Sequence, residues 1–398
     1  MGDPAVRAFS APLAAHRTVV RCDKPGCGLS DPWPVRQTLA AETEQGMNRR
    51  GVIYDVGTVF SGFGWRINLR PTLDPRIVHR ELQILSEDLH CNAVRIAGRD
   101  IDRVSTVAED ALRQGLEVWF SPALFEKSQR RTLGYLVKAA AAAETLRRRW
   151  PDRLVFVMGS ELTLFMQGIV PGRSIAKRLA NPALAELVRA GGHNQALNAF
   201  LASASAAVRG VFHGPLTYAS LPSEEVDWSL FDVVGVDHYR DARIKDRYAE
   251  MLRPLLAHGK PVVVTEFGMR TYRGAEGSGA LGFGVVDQRT VFLHQLPLVG
   301  RFARPRLKGV YVRDEGLQAR ELTETLSILD AAGVDGAFVS SFVDPIATFS
   351  ENPGHDLDMS ALSLVKSYAN GHGTTFPDMS WEPKEAFRAV ADYYARHG

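Results

Sequence analysis

Two runs, Leu154–Glu161 (LVFVMGSE) and Pro261–Gly268 (PVVVTEFG), share one pattern: a short apolar, β-branched segment that ends in a single glutamate. Segments of that composition read as strands. Glu161 and Glu266 lie 105 residues apart, enough chain for several strand–helix units between them. In a parallel α/β barrel the C-terminal strand ends converge on one face, where reactive groups collect. Two glutamates distant in sequence would then face one another across a pocket.

Outward from these runs, strand and helix signals alternate from Arg50 onward. The strand candidates are Gly51–Val56, Cys91–Ala97, Leu116–Ser121, Leu154–Gly159, Pro215–Ala219, Val233–Asp237, Pro261–Glu266 and Gly336–Val343. Helical spacing lies between them. Pro75–Leu89 carries Ile77, Leu82, Leu85 and Leu89 on one face, behind Asp74 as N-cap and Pro75 at the first helical position. Further helices are read at Val104–Gln114, Ser128–Trp150, Ser174–Arg189, Gln195–Arg209, Asp246–Ala257, Leu317–Ala332 and Phe387–Arg396, the last closing the ring. Eight strands separated by helices point to the α/β class and to a (β/α)8 TIM barrel over residues 47–398. No G-x-G-x-x-G follows the first strand into a helix, which argues against a nucleotide-binding sheet.

Composition bounds the partners. The 398 residues are 45% hydrophobic and 23% charged, with a formal net charge of +2. That charge offers no bulk attraction to nucleic acid or to a membrane surface. The basic clusters Arg147–Arg149 and Arg301–Arg306 are short and read as solvated surface. Three cysteines, Cys22, Cys27 and Cys91, form no disulfide framework and no zinc pattern. No apolar run of about 18 residues reads as a membrane span, and no clear signal core opens the chain. The expectation is a cytoplasmic protein without cofactor or metal, whose partner is a small-molecule or oligosaccharide substrate. Residues 1–46 read differently from the rest and are expected to be a loosely packed N-terminal appendage, with Met47 as a natural start.

The strand ends collect polar groups: Asp55, Arg95, Ser121, Ser160 with Glu161, Tyr218, Asp237 with His238 and Tyr239, Glu266, and Asp344. Strand ends meet solvent in any fold, so one polar residue there means little. Two glutamates on the fourth and seventh strands, with Arg95, His238 and Tyr239, make a set. Paired carboxylates suit glycoside hydrolysis, in which a separation of about 5–5.5 Å accompanies a covalent intermediate. A metal-dependent hydrolase is the competing chemistry, but His79, His90, His213, His238 and His258 are scattered and no His-x-His ends the first strand.

The layout resembles the clan of retaining (β/α)8-barrel glycoside hydrolases. Val262–Gly268 (VVVTEFG) is close to that clan's nucleophile strand, Val94–Ile96 (VRI) is similar to its second-strand arginine, and Val233–Tyr239 (VVGVDHY) to its sixth-strand end. The resemblance covers about residues 50–345. It implies Glu161 as acid/base and Glu266 as nucleophile, with Asp55, Arg95, Ser160, Asp237, His238, Tyr239, Tyr272 and Phe342 as substrate contacts. It further implies a Glu266 carboxyl held low by Arg95 and Tyr239, and a Glu161 carboxyl raised by Phe156, Met158, Phe165 and the opposite glutamate. His238 would orient Glu161 or bind a hydroxyl. Among Trp119, Phe120, Phe125, Trp228 and Tyr272, the last two are the better candidates for stacking on sugar, and Gly274–Gly284 is long enough for a lid.

Two departures from the clan stand out. Ser160 precedes the acid/base where the clan has Asn, and the eighth strand offers Phe342 where the clan has a tryptophan platform. Both speak against an ordinary polysaccharide substrate, the cytoplasmic reading leans to a small glycosylated metabolite, and the missing Asn favours the alternative of a non-catalytic barrel with a binding or defence role. Tyr311 through Lys384 also resembles an actinobacterial barrel group, some of whose members carry an abortive-infection (phage-defence) label. Separately, Arg17–Pro34 resembles an internal piece of the α/β-hydrolase fold, with Asp23, Gly26, Gly28, Ser30 and Asp31 fitting D-x-x-G-x-G-x-S-D. No G-x-S-x-G elbow follows, so no hydrolase triad carries over.

Overall fold

All eight apolar runs enter one closed sheet in the computed structural model, which describes residues 46–397 apart from 63, 64, 297 and 299. The strands are β1 (Arg49–Asp55), β2 (Ala93–Gly98), β3 (Glu117–Pro122), β4 (Leu154–Ser160), β5 (Leu216–Ser220), β6 (Val234–Asp237), β7 (Val262–Phe267) and β8 (Gly336–Val339). Each pairs in parallel with its neighbours in order, and β8 pairs back onto β1 through Val52↔Val339. The expected appendage, with Cys22, Cys27 and the Arg17–Pro34 motif, lies outside the described residues.

The period of two along each strand sorts the side chains into two cores. Ile53, Ala93, Trp119, Val155, Val157, Ala219, Val263 and Phe338 fill the barrel interior. Their alternates, including Val52, Val94, Phe120, Phe156, Met158, Tyr218 and Val264, face the helical layer. Gly51 makes room for this interior: a Cβ there would meet the Phe338 ring at 2.4 Å.

The pairing register shifts near the C-terminal ends of β4, between Val157 and Ser160, and of β6, between Val236 and Asp237. Irregularities of this kind re-aim side chains, and these two sit where the fourth-, sixth- and seventh-strand polar residues emerge.

The helices follow their caps. Asp74 accepts from the Arg76 N–H ahead of Pro75–Glu87, as expected. The next helix begins at Ile101 rather than Val104, because the Asp100 side chain takes the N–H groups of Asp102 and Arg103. The stretch read as one helix over Ser174–Arg189 is two, Ile175–Leu179 and Leu184–Arg189, broken at Asn181-Pro182, where proline removes a donor and restricts the residue before it. β8 ends at Val339, short of the expected Val343. The final helix, Glu385–Arg396, returns to the barrel, and Tyr394 donates to the Gly51 carbonyl at 2.9 Å. Two short ribbons have no counterpart among the expected elements: Val59–Gly62 with Trp65–Asn68, and Val365–Ser367 with Trp381–Pro383. Among the described residues, no helix is long and apolar enough to cross a membrane.

Candidate active site

The C-terminal mouth is built around one buried carboxylate. Asp237, at the end of β6, is 2% exposed. Its Oδ1 accepts from Arg95 Nη1 of β2 at 3.1 Å and from Thr265 Oγ1 of β7 at 2.7 Å. Its Oδ2 accepts from Ser160 Oγ of β4 at 2.7 Å. A single side chain thus ties four strands together. A buried charge is tolerable when paired and fully hydrogen-bonded, and these donors meet that condition. Arg95 is itself buried; it also donates to the Thr265 carbonyl at 2.9 Å and to Ser121 Oγ at 3.3 Å.

Glu266 sits one residue past Thr265, and its Oε2 lies 3.8 Å from Arg95 Nη1. The Tyr239 hydroxyl donates to its Oε1. From the sequence, these partners are expected to hold the carboxyl low. It is instead pushed up to about 7, because burial comes first and the charge of Asp237 adds to it. Arg95, the Tyr239 hydrogen bond and Arg270 oppose the rise without cancelling it. Arg270 has no place among the residues expected from the sequence. It is 5% exposed, and its guanidinium donates to the carbonyls of Ser360 (2.9 Å), Gly279 (2.7 Å) and Ala280 (3.1 Å). Those bonds anchor part of the glycine-rich stretch expected to form a lid.

Glu161 follows β4 in a left-handed conformation, φ 48° and ψ 44°, that side-chain-bearing residues seldom adopt. Its N–H donates to the Ala219 carbonyl of β5 at 2.8 Å. Its carboxyl does not cap the short helix that follows, Leu162–Phe165. Burial raises this carboxyl well above the usual range, and the charges of Asp237, Glu266 and Glu224 raise it further, against Arg95. Phe156 and Met158 take no part in a wall beside it, since both face the helical layer.

The remaining expected contacts divide. Tyr239 and Ser160 are at the mouth, although the Ser160 hydroxyl is committed to Asp237. Asp55 is occupied locally: its Oδ1 accepts the N–H groups of Gly57 (2.8 Å) and Thr58 (2.9 Å). His238 is 2% exposed, its ring stacked on Tyr248 at 4.3 Å, and burial pushes its pKa down to about 4, so it is neutral at pH 7. Phe342 is fully buried against Tyr54, Trp381 and Phe387, because the chain leaves the sheet after Val339 and turns this ring into the outer core. Tyr272 is likewise buried, its ring against Tyr311. Trp119, Phe120 and Trp228 are also core residues.

Of the five aromatics expected to stack on sugar, Phe125 alone stays partly open. It stacks on Phe165, four residues after Glu161, at 4.2 Å, and both rings meet Phe60. No cluster of three or more His, Cys, Asp or Glu among the described residues is arranged to hold a metal ion.

No protein-family model and no curated protein sequence matches the chain. Solved structures do. A GH113 beta-1,4-mannanase superposes with a TM-score of 0.52 at 12% identity, over 88% of this chain and 99% of the other. The GH113 beta-mannanase AaManA from Alicyclobacillus acidocaldarius, in complex with ManMIm, gives 0.52 at 16% identity over 89% and 99%. At this identity the likeness shows a shared fold: the chain is a (β/α)8 barrel like those of the two mannanases.

Proposed function

We propose that this barrel is a retaining glycoside hydrolase, acting by a two-glutamate double displacement on a glycoside or small glycosylated metabolite. The observation that carries the reading is the electrostatic pairing at the mouth. The charge of Glu266 acts on Glu161, and burial raises both carboxyls, Glu266 to about 7 and Glu161 well above the usual carboxylate range. The roles are divided by their neighbours: Arg95 and the Tyr239 hydroxyl stand against Glu266 and favour its charged form, while Glu161 faces three carboxylates that favour its protonated form.

In the first step Glu266, ionised, attacks the anomeric carbon while the glycosidic C–O bond breaks. Glu161 gives its proton to the departing oxygen. In the second, Glu161, now a carboxylate, takes a proton from water as that water attacks the anomeric carbon, and the bond to Glu266 breaks. Arg95 and the Tyr239 hydroxyl steady the Glu266 carboxylate before attack and after release. The half-open rings of Phe60, Phe125 and Phe165 stand on the Glu161 side and suit contact with the leaving group.

One observation favours a non-catalytic barrel with a binding or phage-defence role. The residue before Glu161 has its hydroxyl turned to Asp237, so it offers the pocket no donor of its own. A panel of cyclophellitol-type epoxides, read by intact mass on wild type and Glu266→Gln, separates the two readings. Attachment that maps to Glu266 and vanishes in the variant is expected. Absence of labelling across the panel supports the binding barrel, and attachment at another residue overturns the roles of Glu161 and Glu266.

A further inference from the structure

The turn that carries Glu161 has an unusual support. The first N–H groups of any helix lack intrahelical partners, and the left-handed Glu161 before this one gives them no side-chain cap. Here they are taken by two side chains from β5 and the loop after it. The Leu162 N–H donates to the Tyr218 hydroxyl at 2.8 Å, and the Thr163 N–H donates to Glu224 Oε1 at 3.1 Å. The pair is closed on itself: Tyr218 donates to Glu224 Oε2 at 2.9 Å, and the Leu221 N–H reaches the same oxygen at 2.8 Å. Tyr218 is fully buried and Glu224 is 7% exposed. Burial raises the Glu224 carboxyl, and the hydrogen bonds from Thr163, Leu221 and Tyr218, all of which its oxygens accept, oppose that rise and favour the ionised form.

Resting on the reading of Glu161 as the acid/base, we propose that Tyr218 and Glu224 are positioning residues for it: they hold the left-handed turn that frees its carboxyl from capping duty, and they fix a negative charge behind it. Neither residue touches the site of bond cleavage. Capping by Tyr218 and Glu224 replaces the cap that Glu161 would otherwise supply. The Glu224 charge acts on Glu161 in the same sense as Asp237 and Glu266, and Arg95 is the one cation opposing them among its main electrostatic partners. Removing the Glu224 charge therefore eases ionisation of Glu161 and moves its titration to lower pH.

The test is a carboxyl-carbon NMR titration of protein labelled with 13Cδ-glutamate, with the Glu161 signal assigned by its loss in Glu161→Gln. Glu224→Gln keeps an acceptor for Thr163 and removes the charge. The Glu161 midpoint is expected to fall by about half a pH unit or more relative to wild type; an unchanged or higher midpoint in the folded variant overturns the proposal. Tyr218→Phe keeps the charge and removes the acceptor. Amide exchange at Leu162 is expected to quicken by about tenfold or more, as for a lost hydrogen bond; unchanged exchange refutes the clamp even if Glu224→Gln does not fold. Neither readout depends on turnover. If the epoxide panel fails while these titrations behave as expected, the clamp stands and the glycosidase reading falls.

Discussion

Replacing the seventh-strand glutamate is expected to stabilise the protein, and only at the higher end of the pH range. The folded-state value for Glu266 is about 7 against an ordinary 4.5. At about 1.4 kcal/mol per pH unit, that displacement corresponds to about 3 kcal/mol. The folded value lies above the unfolded one, so between pH 4.5 and 7 the native protein binds more protons than the unfolded chain. Stability then falls as pH rises through that window, and the full cost is present above pH 7. Glu266→Gln carries no charge and has no such slope. Its amide oxygen can still accept from Tyr239. The side chain keeps 28% of its surface open to the mouth, where water screens part of the charge, so a gain of about 1–3 kcal/mol is the expected range. For a chain of this length that is about 2–4 °C in melting temperature. Calorimetric melts of both proteins at pH 4.5, 6, 7 and 8 measure it. The curves should coincide at pH 4.5 and separate in favour of the variant at pH 8. A constant difference at every pH, or a variant less stable at pH 8, would show that burial does not govern Glu266.

Three further outcomes follow from named contacts. Tyr239→Phe removes a donor from Glu266, so its carboxyl rises further, and the acidic limb of labelling or turnover against pH moves to higher pH; a limb that stays put contradicts the contact. Phe342→Ala opens a cavity among Tyr54, Trp381 and Phe387 and costs about 3–5 kcal/mol in denaturant unfolding while leaving KM unchanged. A raised KM at intact stability would return Phe342 to the pocket. Glu161→Gly should exceed Glu161→Ala in stability by about 1 kcal/mol, because only glycine adopts φ 48° without steric cost, and equal melting of the two variants would argue against the left-handed turn.

The barrel is legible because its strands are short apolar runs ended by polar residues. Neither property depends on knowing which way a side chain points. Direction is harder to read. Phe342 reads as a platform if β8 runs to Val343, but the strand stops at Val339 and the phase is lost. Asp237 is recognisable as a strand-end residue, yet its tie to Ser160, Thr265 and Arg95 depends on register shifts that leave no mark in the sequence. A low carboxyl for Glu266 follows from counting its partners and omitting its burial. Tyr218, Glu224 and Arg270 act through backbone N–H and carbonyl groups of loops, contacts for which residue type carries little signal. Trp228 and Tyr272 sit in loop contexts that read as open, whereas both rings are buried, against Phe231 and Tyr311 respectively.

The carboxylate at the centre of the mouth has a consequence for descent. Asp237 depends on donors from three other strands, and the Ser160 and Thr265 hydroxyls each spend their one hydrogen on it. A change at position 95, 160 or 265 alone leaves a negative charge short of a partner inside the protein, and a change at 237 alone takes from a buried arginine its hydrogen-bonded carboxylate. Single steps away from this arrangement are penalised, so departures have to arrive together. Positions 95, 160, 237 and 265 form one heritable character written at four places in the chain, and relatives of this protein should keep all four or exchange them as a set.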